Sequence, residues 1–152
     1  MKTVIRLVST CFYAGYVPRV SGTAGSVFGL LLFLLVSYSF PVTVITLSAL
    51  TVAALLVIKG AEELFGKKDS RRIVIDEAIG MMITLLFIPM KPEFITLAFI
   101  FFRVFDIIKP FPIKRIEKIK SPWGVVLDDV VAAVYANLSV QIIAIFALKS
   151  GV

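Results

Sequence analysis

Arg103, Asp106 and Lys109 recur every third residue in the stretch FFRVFDIIKPFP, Phe101 to Pro112, inside a strongly apolar run. On a helix that spacing sets them along one stripe. Pro110 stops the helix and pushes Lys109 out of α geometry. Two cations and a carboxylate in apolar surroundings are costly unless they meet a ligand or one another. Alone, the stripe reads equally well as a structural ion pair at a helix end. Two further stretches tip the balance. Asp76-Glu77 and Asp128-Asp129 also stand as acidic pairs at the start of long apolar runs. Three acidic clusters at three apolar helix ends point to one shared site.

The chemistry open to that site is narrow. The chain has no histidine and a single cysteine, Cys11. A histidine nucleophile, a Ser-His-Asp triad, a histidine metal ligand and an internal disulfide are therefore excluded. A cysteine phosphatase needs Cys-x5-Arg, and Val17 stands where the arginine would be. An Asp-x-Asp nucleophile motif is missing because the paired acids are adjacent. No Walker A or dinucleotide fingerprint occurs. Carboxylates without histidine suit a hard cation held by oxygen, Mg²⁺ above all. The expected ligands are Asp76, Glu77, Asp106, Asp128 and Asp129, with Asp69 a weaker member because it suits a loop or cap. These five carboxylates are also the expected catalytic set, one of them acting as general base. Arg103 and Lys109 would bind phosphate. Thr23, Ser26 and the backbone N–H groups of the Gly22–Ser26 stretch, read as a loop running into a helix, would form the opposite wall.

The elements that must position these groups read as helices in a membrane. The 152 residues are 59% hydrophobic and 17% charged, with a mean hydropathy of +1.01. No charge lies between Arg19 and Lys59. The expected fold is an all-α integral membrane bundle, one domain over residues 1–152, with about five membrane-embedded helices. An N-terminal amphipathic helix, carrying Lys2 and Arg6 beside Ile5, Leu7 and Val8, precedes them. Val27 to Ile58 suits two spans with a turn at Pro41. A third helix is expected from about Ile73 to Ile88, a fourth from about Glu93 to Ile108, and a last from about Gly124 to Leu148. Positive charge is concentrated in two loops, 59–72 and 109–122. Both should be cytoplasmic, which puts the N-terminus inside and every acidic cluster in the cytoplasmic layer. The net charge of +6 is thus a matter of loops and anionic lipid, and no basic stripe with interleaved aromatics suggests nucleic acid.

A site at headgroup depth suits a lipid phosphate, and the residues alone describe a metal-dependent enzyme working on a phospholipid headgroup. The alternative from another class is a small membrane protein for divalent-cation transport or sensing. It would need polar groups across the whole membrane, and the outer halves carry only scattered Ser, Thr, Asn137 and Gln141. A purely structural bundle would lose stability, but no reaction, on Asp→Asn changes.

The chain resembles the phosphatidylglycerophosphatase A family. The resemblance rests on Gly22-Thr23-Ala24-Gly25-Ser26, on Asp69 and Ile75-Asp76-Glu77-Ala78-Ile79-Gly80, on Phe102 through Ile113, and on Gly124 through Ala132. These occur in the family's order and spacing. Ala133 replaces the usual glycine after the last motif, and Ser121-Pro122-Trp123-Gly124 replaces a Gly-Gly-x-Gly turn. The resemblance implies a Mg²⁺-dependent phosphatase that converts phosphatidylglycerophosphate to phosphatidylglycerol. It implies a multi-pass protein of the bacterial inner membrane with its active site facing the cytoplasm.

Overall fold

The computed structural model describes residues 1–68, 70–116, 118–119 and 122–149. Among these residues the regular structure is entirely helical. The helices are α1 (Lys2–Ser9), α2 (Ser21–Val36), α3 (Phe40–Phe65), α4 (Ile75–Thr84), α5 (Pro92–Ile108), α6 (Ile113–Ile116) and α7 (Pro122–Lys149). A 3₁₀ turn at Ala14–Tyr16 lies between α1 and α2.

Among the described residues two helices, not five, are long and apolar enough to cross a bilayer. They are α3, with 26 residues, and α7, with 28. Both turn large apolar side chains outward, among them Ile45, Leu56, Leu138, Ile145 and Phe146. Outward faces of that kind suit a hydrocarbon surrounding. The shortfall has a geometric reason. A helix rises about 1.5 Å per residue against a hydrocarbon core of about 30 Å. The 16 residues of α2 and the 17 of α5 are marginal, and the 10 of α4 reach only about halfway.

Local sequence explains most of the boundaries. Pro41 and Pro92 sit in the first turns of α3 and α5, where a missing N–H costs nothing. Gly66 closes α3 in the left-handed conformation at φ 65°. Lys59, Glu62 and Glu63, expected in a polar loop, are therefore the last turns of α3. The Gly22–Ser26 stretch, expected as a loop, is the first turn and a half of α2.

The short helix α4 is the centre of the packing. Eight of its ten residues are buried, and α2 and α7 flank it. The α2 contact depends on glycine. A Cβ on Gly25 would lie 2.7 Å from the Val74 carbonyl oxygen, and one on Gly29 would collide with the Ala78 backbone. Small residues on α7 do the same from the other side, where Ala132, Ala133 and Ala136 are fully buried. The far end of α4 stops inside protein. Asn137 of α7 donates from Nδ2 to the carbonyls of Thr84 (2.8 Å) and Leu86 (2.7 Å), and Gln141 holds Asn137 Oδ1 at 2.7 Å. Helix-end carbonyls away from water need such partners.

Candidate active site

The N-termini of α2, α4 and α7 and the C-terminal end of α5 meet at one end of the bundle. They enclose a cavity of about 740 Å³ lined by Asp76, Glu77, Arg103, Asp106, Lys109, Asp128 and Asp129. Thr23 lines it as well, with Ser21 and Gly22. Those three residues open α2, ahead of its first helical bond from Ala24 N–H to the Val20 carbonyl. Their own N–H groups have no partner within the helix, and the positive end of the helix dipole faces the cavity.

The acidic residues divide into two kinds. Asp76 and Glu77 open α4, and Asp129 reaches them from α7. One carboxylate oxygen from each lies within 4.8 Å of the other two. Glu77 Oε2 and Asp129 Oδ2 are buried without a hydrogen-bond partner among the described residues. Buried carboxylates in such proximity repel one another and lack solvation. A divalent cation with oxygen preference is the species that relieves both penalties, so this donor set fits Mg²⁺.

Asp106 and Asp128 face cations instead. Arg103 Nη1 donates to Asp106 Oδ2 at 2.6 Å, one turn along α5. Lys109 caps α5 in the left-handed conformation at φ 49°, and its Nζ donates to Asp128 Oδ2 at 2.8 Å. The other oxygen of Asp128 accepts the Asp129 N–H at 3.0 Å. The stripe of three charges on α5 is thus split between an internal pair and a bridge to α7.

Ser26 stands behind this surface, outside the cavity lining. It is fully buried, donates to the Gly22 carbonyl at 2.9 Å and accepts from Arg103 Nη1 at 3.4 Å. It holds the guanidinium from behind, while Arg103 Nε is buried without an acceptor among the described residues. Gly22 touches both sides of the charge pattern. A Cβ there would lie 2.6 Å from Glu77 Oε1 and 3.0 Å from Arg103 Nη2. Cys11 is buried and outside the cavity lining. Burial first, then the neighbouring charges of Asp76 and Glu77, pushes its thiol well above the ordinary range. Its Sγ sits 3.7 Å from the Val74 carbonyl.

The sequence model described as Phosphatidylglycerophosphatase A matches residues 7–144. The chain belongs to the phosphatidylglycerophosphatase A family. The match covers every residue named in the cavity so far. Family members are phosphoric monoester hydrolases, and this chain is one of them. Its similarity to two named phosphatidylglycerophosphatases A is spread over the chain. One from Haemophilus influenzae is 34% identical over 95% of this chain and 88% of its own length. One from Escherichia coli is 30% identical over 88% of this chain and 80% of its own length. A Bacteroides thetaiotaomicron protein, provisionally named a phosphatidylinositol-3-phosphatase, is 30% identical over 90% of this chain and 91% of its own. No solved structure matches the chain significantly.

For this family member the structure brings Asp76, Glu77 and Asp129 together, and places Asp106 and Asp128 beside them as partners of Arg103 and Lys109. Asp69, expected as a weaker ligand, lies outside the described residues. Sequence reading missed Arg19, Lys68, Ser70 and Arg71, which also line the cavity. Lys68, Ser70 and Arg71 belong to the basic segment 59–72 and Arg19 stands alone before α2, and nothing local indicated that they line a cavity.

Proposed function

We propose that the chain hydrolyses phosphatidylglycerophosphate to phosphatidylglycerol and phosphate, in a Mg²⁺-dependent reaction at the cytoplasmic face of a bacterial inner membrane. The observation that carries this is the convergence of the Asp76, Glu77 and Asp129 oxygens within 4.8 Å, buried, beside the Arg103 and Lys109 cations. Family membership supplies the substrate class. Lys68, Arg71 and Lys109, which belong to the two basic segments, line the cavity, and this favours the cytoplasmic orientation.

In this reading Asp76, Glu77 and Asp129 hold the cation. Bound there, Mg²⁺ would neutralise charge on the transferred phosphoryl group and acidify a coordinated water. Arg103 and Lys109 bind the phosphate oxygens. Asp106 and Ser26 hold the Arg103 guanidinium in position, and Asp128 holds the Lys109 ammonium. The N–H groups of Ser21, Gly22 and Thr23 add donors and the favourable end of the α2 dipole. With no histidine in the chain, the proton of the attacking water passes to a carboxylate of this set. A multi-pass arrangement places the cavity at headgroup depth, where the terminal phosphate of a lipid arrives without leaving the bilayer.

The cation-transport alternative gains no support, because the deeper polar groups Asn137 and Thr84 are engaged with backbone carbonyls. The test is phosphate release from phosphatidylglycerophosphate in detergent micelles, with Mg²⁺ and with EDTA. Release that requires Mg²⁺ is the expected result. No release from folded protein with any divalent cation would overturn the proposal.

A further inference from the structure

The cavity is lined by three cations beyond the two that face the acidic cluster. Arg103 and Lys109 each already face a carboxylate. Arg19, Lys68 and Arg71 line the same cavity from the segments that precede α2 and α4. Those two segments are fastened to each other. Val74 N–H donates to the Ser9 carbonyl at 2.9 Å. Gly15 lies so close to the Arg72 carbonyl that no side chain would fit there. The Arg72 guanidinium packs over the rings of Tyr16, at 5.1 Å, and Phe65, at 5.6 Å. Stacking keeps Arg72 out of the cavity lining, while its neighbour Arg71 faces in. One scaffold therefore presents Arg19 and Arg71 together.

A volume of about 740 Å³ is in the range of sites that enclose whole small molecules, roughly 300–1,000 Å³. We infer that Arg19 and Arg71, with Lys68, form a second anion subsite. It takes the phosphodiester of a lipid headgroup while the terminal phosphomonoester lies against Arg103, Lys109 and the acidic cluster. The inference rests on the phosphatase reading above and deepens it. It makes the enzyme selective for lipids carrying a monoester beyond a diester. Phosphatidylglycerophosphate and phosphatidylinositol 3-phosphate both have that pattern, and these are the lipids that the relatives' names imply. Phosphatidic acid has a single phosphate and can engage only one of the two positions.

The experiment uses the full chain in uncharged detergent micelles, where general attraction to an anionic surface is removed. Phosphate release is measured with Mg²⁺ on phosphatidylglycerophosphate, phosphatidylinositol 3-phosphate and phosphatidic acid at equal surface fraction. The proteins are the wild type, the Arg19→Gln/Arg71→Gln double variant, and Lys67→Gln as an exposed basic control outside the cavity lining. The double variant should lose roughly tenfold or more in kcat/KM on the two-phosphate lipids, the size expected for a charge-assisted hydrogen bond. Its rate on phosphatidic acid, lower from the start, should stay within about twofold. The control should match the wild type on all three lipids. An equal loss on every lipid, or no loss on any, overturns the subsite. So does a wild type that takes phosphatidic acid as readily as the two-phosphate lipids. If the wild type releases no phosphate at all, the phosphatase reading fails. The subsite is then decided by calorimetric binding of soluble glycerophosphoglycerol phosphate, which the double variant must weaken. If the double variant does not fold, Arg19→Gln alone, at an exposed position, is held to the same criteria.

Discussion

Lys109 Nζ donates to Asp128 Oδ2 at 2.8 Å and ties the end of α5 to the start of α7. The bond makes the two residues one unit, so each single change leaves a charge behind. Lys109→Met should strand the buried Asp128 carboxylate and destabilise the protein by about 3 kcal/mol, as loss of one partner does in a buried pair. The double variant Lys109→Met/Asp128→Asn should recover most of that loss in thermal unfolding. It should not recover phosphate release, because the cation proposed to bind phosphate is still missing.

Asp129→Asn and Asp76→Asn each take a carboxylate out of the proposed cation position. Each should lower Mg²⁺-dependent phosphate release by at least the roughly 10- to 100-fold that loss of a merely supporting group costs a metal site. The variants should remain folded by circular dichroism, since fewer buried like charges now face one another. Mg²⁺ should raise the thermal midpoint of the wild type, as a ligand of the folded state does, and should do little for Asp129→Asn.

Gly22→Ala and Gly29→Ala probe two kinds of close contact. The new methyl at Gly22 meets Glu77 Oε1 and the Arg103 guanidinium, which are side-chain ends. Activity should fall sharply with little change in thermal midpoint. The methyl at Gly29 meets the Ala78 backbone, which cannot move aside. That variant should lose about 1–3 kcal/mol of stability through overpacking, read as a lower unfolding temperature in detergent.

Asn137→Leu should release the carbonyls of Thr84 and Leu86 together. The expected loss is about 1–2 kcal/mol, because hydrogen bonds inside membrane bundles average below 1 kcal/mol each. Hydrogen exchange of the α4 amides should rise with it.

Iodoacetamide should leave activity unchanged. The Cys11 thiol is buried and its thiolate is disfavoured by burial and by two nearby carboxylates. Alkylation of folded protein, followed by mass spectrometry and a phosphate-release assay, checks both points.

The sequence was most legible where apolar length and proline acted together. The limits of α5 and α7 fall within two residues of those read from the chain alone. It misled where a distant partner set the geometry. A helix reading from Ile73 to Ile88 is reasonable by hydropathy, yet α4 ends at Thr84. Its last carbonyls are taken by Asn137, 53 residues away from Thr84. Gly22–Ser26 was equally ambiguous. Glycine has a weak helix preference, and the helical state there depends on Gly25 and Gly29 meeting α4. Within the site, the acidic residues stood out because charge is expensive in apolar sequence. Their division into a cation cluster and two ion pairs depends on side-chain direction, which spacing does not carry.

The inner end of α4 bears on how the enzyme experiences its host membrane. Long helices such as α3 and α7 answer a thicker or thinner bilayer by tilting. A half-length helix fastened at its tip by Asn137 and along its flank by Gly25 and Gly29 has no lipid-matched length to adjust. Two of the three clustered carboxylates ride on that helix. In the proposed membrane setting the site end would thereby be insulated from hydrophobic mismatch, and the enzyme would keep its geometry while the acyl composition around it changes with temperature and growth.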